Sequence, residues 1–212
     1  MRIVVFGASG RTGVPLVEQA VSRGHEVVAF VRDHEKLPAD LREADGVVVV
    51  EGDAYTGEGV AEAVEGADAV VSVLGQTAEG PDDLLTVAGD HVVAAMREAG
   101  VDRFVTLVGA GVREEGESVP LSGKVVGTML KLLAGEVLAD AKSHVSRVRD
   151  TDLRWTVVRP PRLTDREGTG AYRAGDVSLG VESIARADVA RFILDALEGE
   201  QFVRDLPKVG RA

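Results

Sequence analysis

The chain has 212 residues, 45% of them hydrophobic, and carries a formal net charge of −11. That size can bury one substantial core, so one domain is expected, while so acidic a chain argues against a nucleic-acid partner, whose phosphates need basic contacts. The absence of cysteine excludes disulfides, thiolate chemistry and cysteine-held zinc, and His25, His34, His91 and His144 show no metal-binding spacing.

No run approaches the ~20 apolar residues of a membrane span, and the N-terminus reads as a strand followed by glycines rather than a signal peptide. A cytoplasmic protein with no membrane partner and no metal is therefore expected. The cations are mostly arginine (19, against 5 lysines). Any anionic ligand must be drawn in by local arginines, because the overall charge repels it.

The first expected strand, Ile3–Phe6, is wholly apolar and breaks into Gly7, Gly10 and Gly13 before a helical stretch, Val14–Arg23. Gly7 suits a turn that a side chain would forbid, Gly10 admits a bound group close to the backbone, and Gly13 lets the new helix pack on the strand. Ser9, Arg11 and Thr12 complete the turn, and Pro15 falls in the first helical turn, where its missing donor is harmless. The helix start offers unpaired N–H groups and partial positive charge, which suit a pyrophosphate. The spacing is G-x-x-G-x-x-G rather than G-x-G-x-x-G, and glycine is common here. A tight turn without a ligand is thus the alternative, but a glycine turn between an opening apolar strand and a helix favours a dinucleotide site.

The second strand, Val27–Val31, leads to Arg32-Asp33. Val31 stands where a carboxylate would hold the 2′-hydroxyl of NAD, and Arg32 follows it. Arg11 can reach the same spot, and two guanidiniums match a 2′-phosphate in charge and geometry, so NADP(H) is preferred to NAD(H). The alternative is a surface pair between Arg32 and Asp33, with NAD bound instead. The third strand, Val47–Val50, ends near Gly52-Asp53, where Asp53 either holds the adenine edge or is a plain turn residue. A helix over Gly59–Glu65 precedes a fourth strand, Ala69–Leu74, where Leu74 and Gly75 run beside a ribose.

A helix over Asp83–Ala99 leads to the fifth strand, Phe104–Val108, whose TLVGAG ending (Thr106–Gly111) places Gly109 over the nicotinamide ribose. The acidic stretch Val112–Gly123 reads as a lid or a polar loop. It precedes a long helical pattern, Val125–Arg149, whose leucine face (Leu130, Leu132, Leu133, Leu138) suits an interface or core packing. The sixth strand, Trp155–Val158, the irregular Gly168–Gly180 with Tyr172 inside it, and a helix over Arg186–Leu197 complete the chain. Valine-rich strands alternating with helices predict a parallel sheet covered on both faces: an α/β, doubly wound Rossmann-type single domain. The last part, about 160–212, would shape a substrate pocket.

These segments resemble the atypical short-chain dehydrogenase/reductases of the NAD(P)H-binding, NmrA-like group, close to the biliverdin reductase B/flavin reductase branch. The matching stretches are GASGRTG (Gly7–Gly13), FVRD (Phe30–Asp33), GDAYTGEGVAEAVEGADAVVSVLG (Gly52–Gly75) and AGVDRFVTLVGAGV (Ala99–Val112). LRWTVVRPPRLTDREGTGAY (Leu153–Tyr172) and IARADVARFILDAL (Ile184–Leu197) extend the match over most of the chain. The resemblance implies that Pro160, Pro161, Arg162 and Leu163 line the reactive end of the cofactor.

It also exposes departures. The family's Tyr-x-x-x-Lys pair is absent, since the residue four before Lys142 is Leu138, and Val108-Gly109 replaces the hydroxyl residues that usually end the fifth strand. His144 and Tyr172 are the remaining candidates for proton transfer; a helix-surface histidine and a packing tyrosine are the alternatives. With no obvious acid for a carbonyl oxygen, hydride transfer to a flat, electron-poor acceptor (a flavin, quinone or tetrapyrrole) is expected, its proton coming from water. A non-catalytic redox sensor of the NmrA-like kind is the other reading. The expected partner is a small-molecule acceptor, and the expected state is a monomer or homodimer.

Overall fold

A computed structural model describes residues 1–77, 80–112 and 135–212. Its centre is a parallel sheet of β1 (Arg2–Phe6), β2 (Glu26–Val31), β3 (Val47–Glu51), β4 (Ala69–Ser72), β5 (Arg103–Leu107) and β6 (Arg154–Val158), in the order β3-β2-β1-β4-β5-β6. The described helices are α1 (Gly13–Ser22), α2 (Ala39–Arg42), α3 (Val60–Val64), α4 (Leu84–Ala99), α5 (Gly135–Arg149) and α6 (Arg186–Glu198).

Period-two alternation divides the strand side chains between two cores. Ile3 and Val5 pack with Leu16, Val17 and Ile193 under α1 and α6; Val4 and Phe6 pack with Val64, Met96 and Val145 under α3, α4 and α5. This is why β1 reads as an unbroken apolar run. The edge strand β3 differs: four valines precede Glu51, yet Val48 remains 43% exposed. The strand order reverses between β1 and β4, and that reversal opens a crevice at the carboxyl edge, where a ligand site is expected in such sheets.

The far side is closed by the end of the chain. The backbone N–H groups of Val157 and Arg159 donate to the carbonyls of Asp205 and Pro207, so the terminal segment covers the free edge of β6. Two small sheets flank it. One pairs β7 (Arg162–Thr164) with β9 (Ser183–Ala185), and the other pairs β8 (Tyr172–Gly175) with β10 (Lys208–Arg211). Most of the expected lid (Val112–Gly123) and the first part of the expected long helix, with Leu130, Leu132 and Leu133, lie outside the described residues. The described part of that stretch, 135–149, is helical.

Candidate cofactor site

The glycine turn is built tightly enough that two of its glycines are obligatory. Gly7 has φ +84°, and a Cβ there would lie 3.2 Å from the Val73 carbonyl. At Gly13 a Cβ would come within 2.1 Å of the Gly7 carbonyl oxygen and 2.6 Å of that of Ala8. Gly13 is thus needed for the helix to close onto the turn itself, rather than onto the strand as the spacing suggested. The Gly10 N–H donates to Gly7 and the Val14 N–H to Gly10, both at 2.9 Å. Among the described residues, no backbone acceptor meets the N–H groups of Arg11, Thr12 and Gly13. These free donors sit at the positive end of a ten-residue helix, an arrangement suited to a pyrophosphate.

At the end of β2, Val31 is buried and Arg32 is exposed in a recess with Glu51, Gly52, Asp53 and Glu58. The surface pair of Arg32 with Asp33 does not form. Asp33 accepts the Glu35 N–H at 3.0 Å and pairs with Lys36 at 3.5 Å. Among the described residues Arg32 has no hydrogen-bond or ion-pair partner. Nor does the expected pair of guanidiniums form. Arg11 turns to Asp165 at 3.4 Å, a carboxylate already held by Arg186 at 2.5 Å, so its charge is drawn away from the Arg32 recess. Asp53 uses one carboxylate oxygen on the Tyr55 N–H at 2.8 Å, and its own N–H and carbonyl shape the Gly57–Glu58 turn. It is a turn residue with one carboxylate oxygen left over.

The loops after β4 and β5 form the opposite wall. Leu74 packs on the core, whereas a Cβ at Gly75 or Gly109 would meet nothing within 4 Å. The Ala110 N–H donates to the Pro160 carbonyl at 3.0 Å and so ties the Gly109 loop to the end of β6. Arg162 is exposed, and Leu163 leans on the core opposite Ile184.

Two residues here escaped sequence reasoning. The Gln76 amide nitrogen donates to Asp140 Oδ2 at 2.8 Å and to the Asp82 carbonyl at 2.5 Å, which fixes the amide's orientation. Its Oε1 is buried with no partner among the described residues, a state that costs about 1–3 kcal/mol until a donor arrives. Buried Asp140 also accepts the N–H groups of Leu85 and Thr86 and so caps α4 from α5. An isolated glutamine and an aspartate 64 positions apart give no sequence signal of this pairing.

Both candidates for proton transfer lie away from the reactive edge. His144 is not on the helix surface. It is 2% exposed, packs against Gly89 and edge-on to Phe104, and shares a 2.9 Å hydrogen bond between Nε2 and the Thr106 hydroxyl. Burial pushes its pKa down to about 4, so it is a neutral core residue at neutral pH. Thr106 precedes Gly109 by three residues, roughly 10 Å of strand. Lys142 is exposed.

Tyr172 donates to Asp195 at 2.7 Å and packs on Phe192; burial, then the hydrogen bond to Asp195, pushes its pKa up to about 12. Asp195 also pairs with Arg23, just past the end of α1 and therefore at the opposite edge of the sheet from the glycine turn. It lies nine residues along α6 from Arg186, about 13 Å away. Tyr172 is a packing tyrosine.

The free donors of the glycine turn, Arg32 and the Gln76 oxygen without partners among the described residues, and the open space over Gly75 and Gly109 together fit an extended dinucleotide with a phosphate at each of two places. The comparisons agree in kind. A family model described as NAD(P)H-binding matches residues 7–200. The uncharacterized protein YwnB of Bacillus subtilis is 32% identical over 209 residues, covering 93% of this chain and 92% of its own. A 3-diazoavenalumate denitrifying reductase from a Streptomyces species is 40% identical over 117 residues, which cover 50% of this chain and 36% of that protein. A short-chain dehydrogenase/reductase (wide type) from Veillonella parvula, solved in complex with NADP, has a TM-score of 0.83 over 99% of this chain and 94% of its own. At 18% identity that last likeness is one of fold.

Proposed function

Because this chain belongs to the NAD(P)H-binding family, we propose that it is an NADPH-dependent reductase whose acceptor is a flat, electron-poor small molecule. The observation that carries the cofactor choice is Arg32: exposed, beside the adenosine end of the crevice, and without a partner among the described residues. A guanidinium held ready in this way suits a 2′-phosphate. The N–H groups of Arg11, Thr12 and Gly13 hold the pyrophosphate, and the unfilled space over Gly75 and Gly109 receives the ribose groups. Gln76 Oε1 accepts from an N–H or hydroxyl of the bound molecule. NADPH, when bound, supplies a hydride from its nicotinamide.

The acceptor class follows from what stands at the end of β5. Among the described residues there, Val108, Gly109 and Ala110 offer no acid, and His144 and Tyr172 lie elsewhere. A flavin, quinone or tetrapyrrole-like acceptor takes its proton from water, so positioning is most of the catalysis. The resemblance of the sequence to the biliverdin reductase B/flavin reductase branch supports this acceptor class. A panel of such acceptors should accelerate NADPH oxidation by the purified protein; absence of turnover with every member would overturn the reductase.

The same lack of an acid favours a second reading, an NmrA-like protein that holds NADP(H) without reaction and reports redox state. It predicts that NADPH binds and stays reduced in the presence of every acceptor. The proposed partners are thus a small-molecule acceptor and, in the second reading, another protein, with the chain itself a monomer or homodimer.

A further inference from the structure

The recess that holds Arg32 is not simply basic. Glu51, the last residue of β3, lines it together with Asp53 and Glu58. Glu51 is also held in place: its Oε1 accepts the backbone N–H of His34 at 2.8 Å and the His34 Nδ1 at 2.5 Å. Those two hydrogen bonds keep its carboxyl below the usual carboxylate range, so it stays ionised at neutral pH. His34 is itself fixed within a short turn. Asp33 caps that turn, Lys36 pairs with Asp33, and Arg42 donates to the His34 carbonyl.

A fixed carboxylate and a free guanidinium in one recess act oppositely on the two adenosine cofactors. A 2′-phosphate carries close to two negative charges; it gains from Arg32 and is repelled by Glu51. A 2′-hydroxyl is a neutral donor, and a carboxylate is its natural acceptor.

Resting on the reading that Arg32 receives a 2′-phosphate, we propose that Glu51 is the specificity-determining counterweight to Arg32, so that the site binds both NADPH and NADH and prefers NADPH only modestly. His34 is the positioning residue that fixes Glu51. The distinction from a plain NADP site lies in this second, opposed charge.

The test is the ratio of NADPH to NADH affinity in wild type, E51Q, E51A and R32A, read by nicotinamide fluorescence. It is confirmed by competition with 2′,5′-ADP and 5′-AMP. A chelator is included because Asp33, His34 and Glu51 place donor atoms within 4.8 Å of one another. Loss of the repulsive Glu51 charge from the recess should raise the ratio roughly five- to twentyfold in both Glu51 variants. It should do so through tighter NADPH and 2′,5′-ADP binding, and the gain should shrink at high salt. A merely structural role for Glu51 would move both cofactors together and leave the ratio unchanged; that result overturns the inference. R32A separates the two claims: if it leaves the ratio unchanged, the 2′-phosphate assignment fails, whatever Glu51 does.

Discussion

Arg32 and His144 show how differently single residues can be read from a sequence. Arg32 could be singled out in the sequence because its proposed role follows from its place at the end of the second strand, a position the apolar pattern locates. Arg32→Ala should weaken NADPH binding about ten- to a hundredfold, the loss of a charge-assisted contact, and NADH binding less than threefold; titration of each cofactor checks it. Equal losses would contradict the assignment. His144 and Tyr172 were not legible, because their roles depend on which helix face meets which neighbour. His144 is buried by α4 through the gap at Gly89, and Tyr172 is turned to Asp195 at the wrong edge of the sheet.

The depressed His144 pKa carries a signed consequence. The unfolded histidine takes up a proton near its ordinary pKa of about 6.5, whereas the folded one resists protonation down to about 4. Stability is therefore lost as pH falls between those values, by up to about 3 kcal/mol. Denaturant unfolding at pH 7 and pH 4.5 should show a smaller acid loss in His144→Asn than in wild type; parallel losses would show that the imidazole does not titrate in this way.

At the scale of elements, the glycine turn is the part on which binding depends most directly. Gly13→Ala would drive a methyl group into the Gly7 and Ala8 carbonyls, so the start of α1 must shift and its N–H groups lose their aim. We expect at least a tenfold loss of affinity for both cofactors alike, with several degrees lost from the melting temperature, as measured by titration and thermal scanning. Unchanged affinity would mean that the turn is structural only.

The strands of the main sheet were legible because burial on both faces of all but the edge strand β3 leaves mostly apolar runs, a pattern the order of residues shows. β7 to β10 were not, since strands of three or four residues acquire their identity from distant partners, as Tyr172–Gly175 does from Lys208–Arg211. The cap that Asp140 places on α4 was hidden for the same reason: it joins two helices through groups that are unremarkable in sequence.

Across the whole molecule, the order β3-β2-β1-β4-β5-β6 places the glycine turn, the Arg32 recess and the Gly75 and Gly109 loops along the carboxyl edge of one sheet. Four segments spread from residue 7 to residue 109 thus lie where the proposed dinucleotide would run. That convergence was legible as topology, because alternating strands and helices with right-handed crossovers leave few other arrangements. The balance of charge inside the recess was not, because Glu51 and Arg32 are 19 positions apart and meet only when β2 and β3 pair. No described helix is long and apolar enough to cross a membrane.

The most direct test of the account is a fluorescence titration of the purified protein with NADPH and, separately, with NADH. Saturable binding of both, tighter for NADPH and with that preference lost or reversed in Arg32→Ala, is the predicted result. Binding of neither cofactor would contradict the dinucleotide site, and tighter binding of NADH would contradict its 2′-phosphate end.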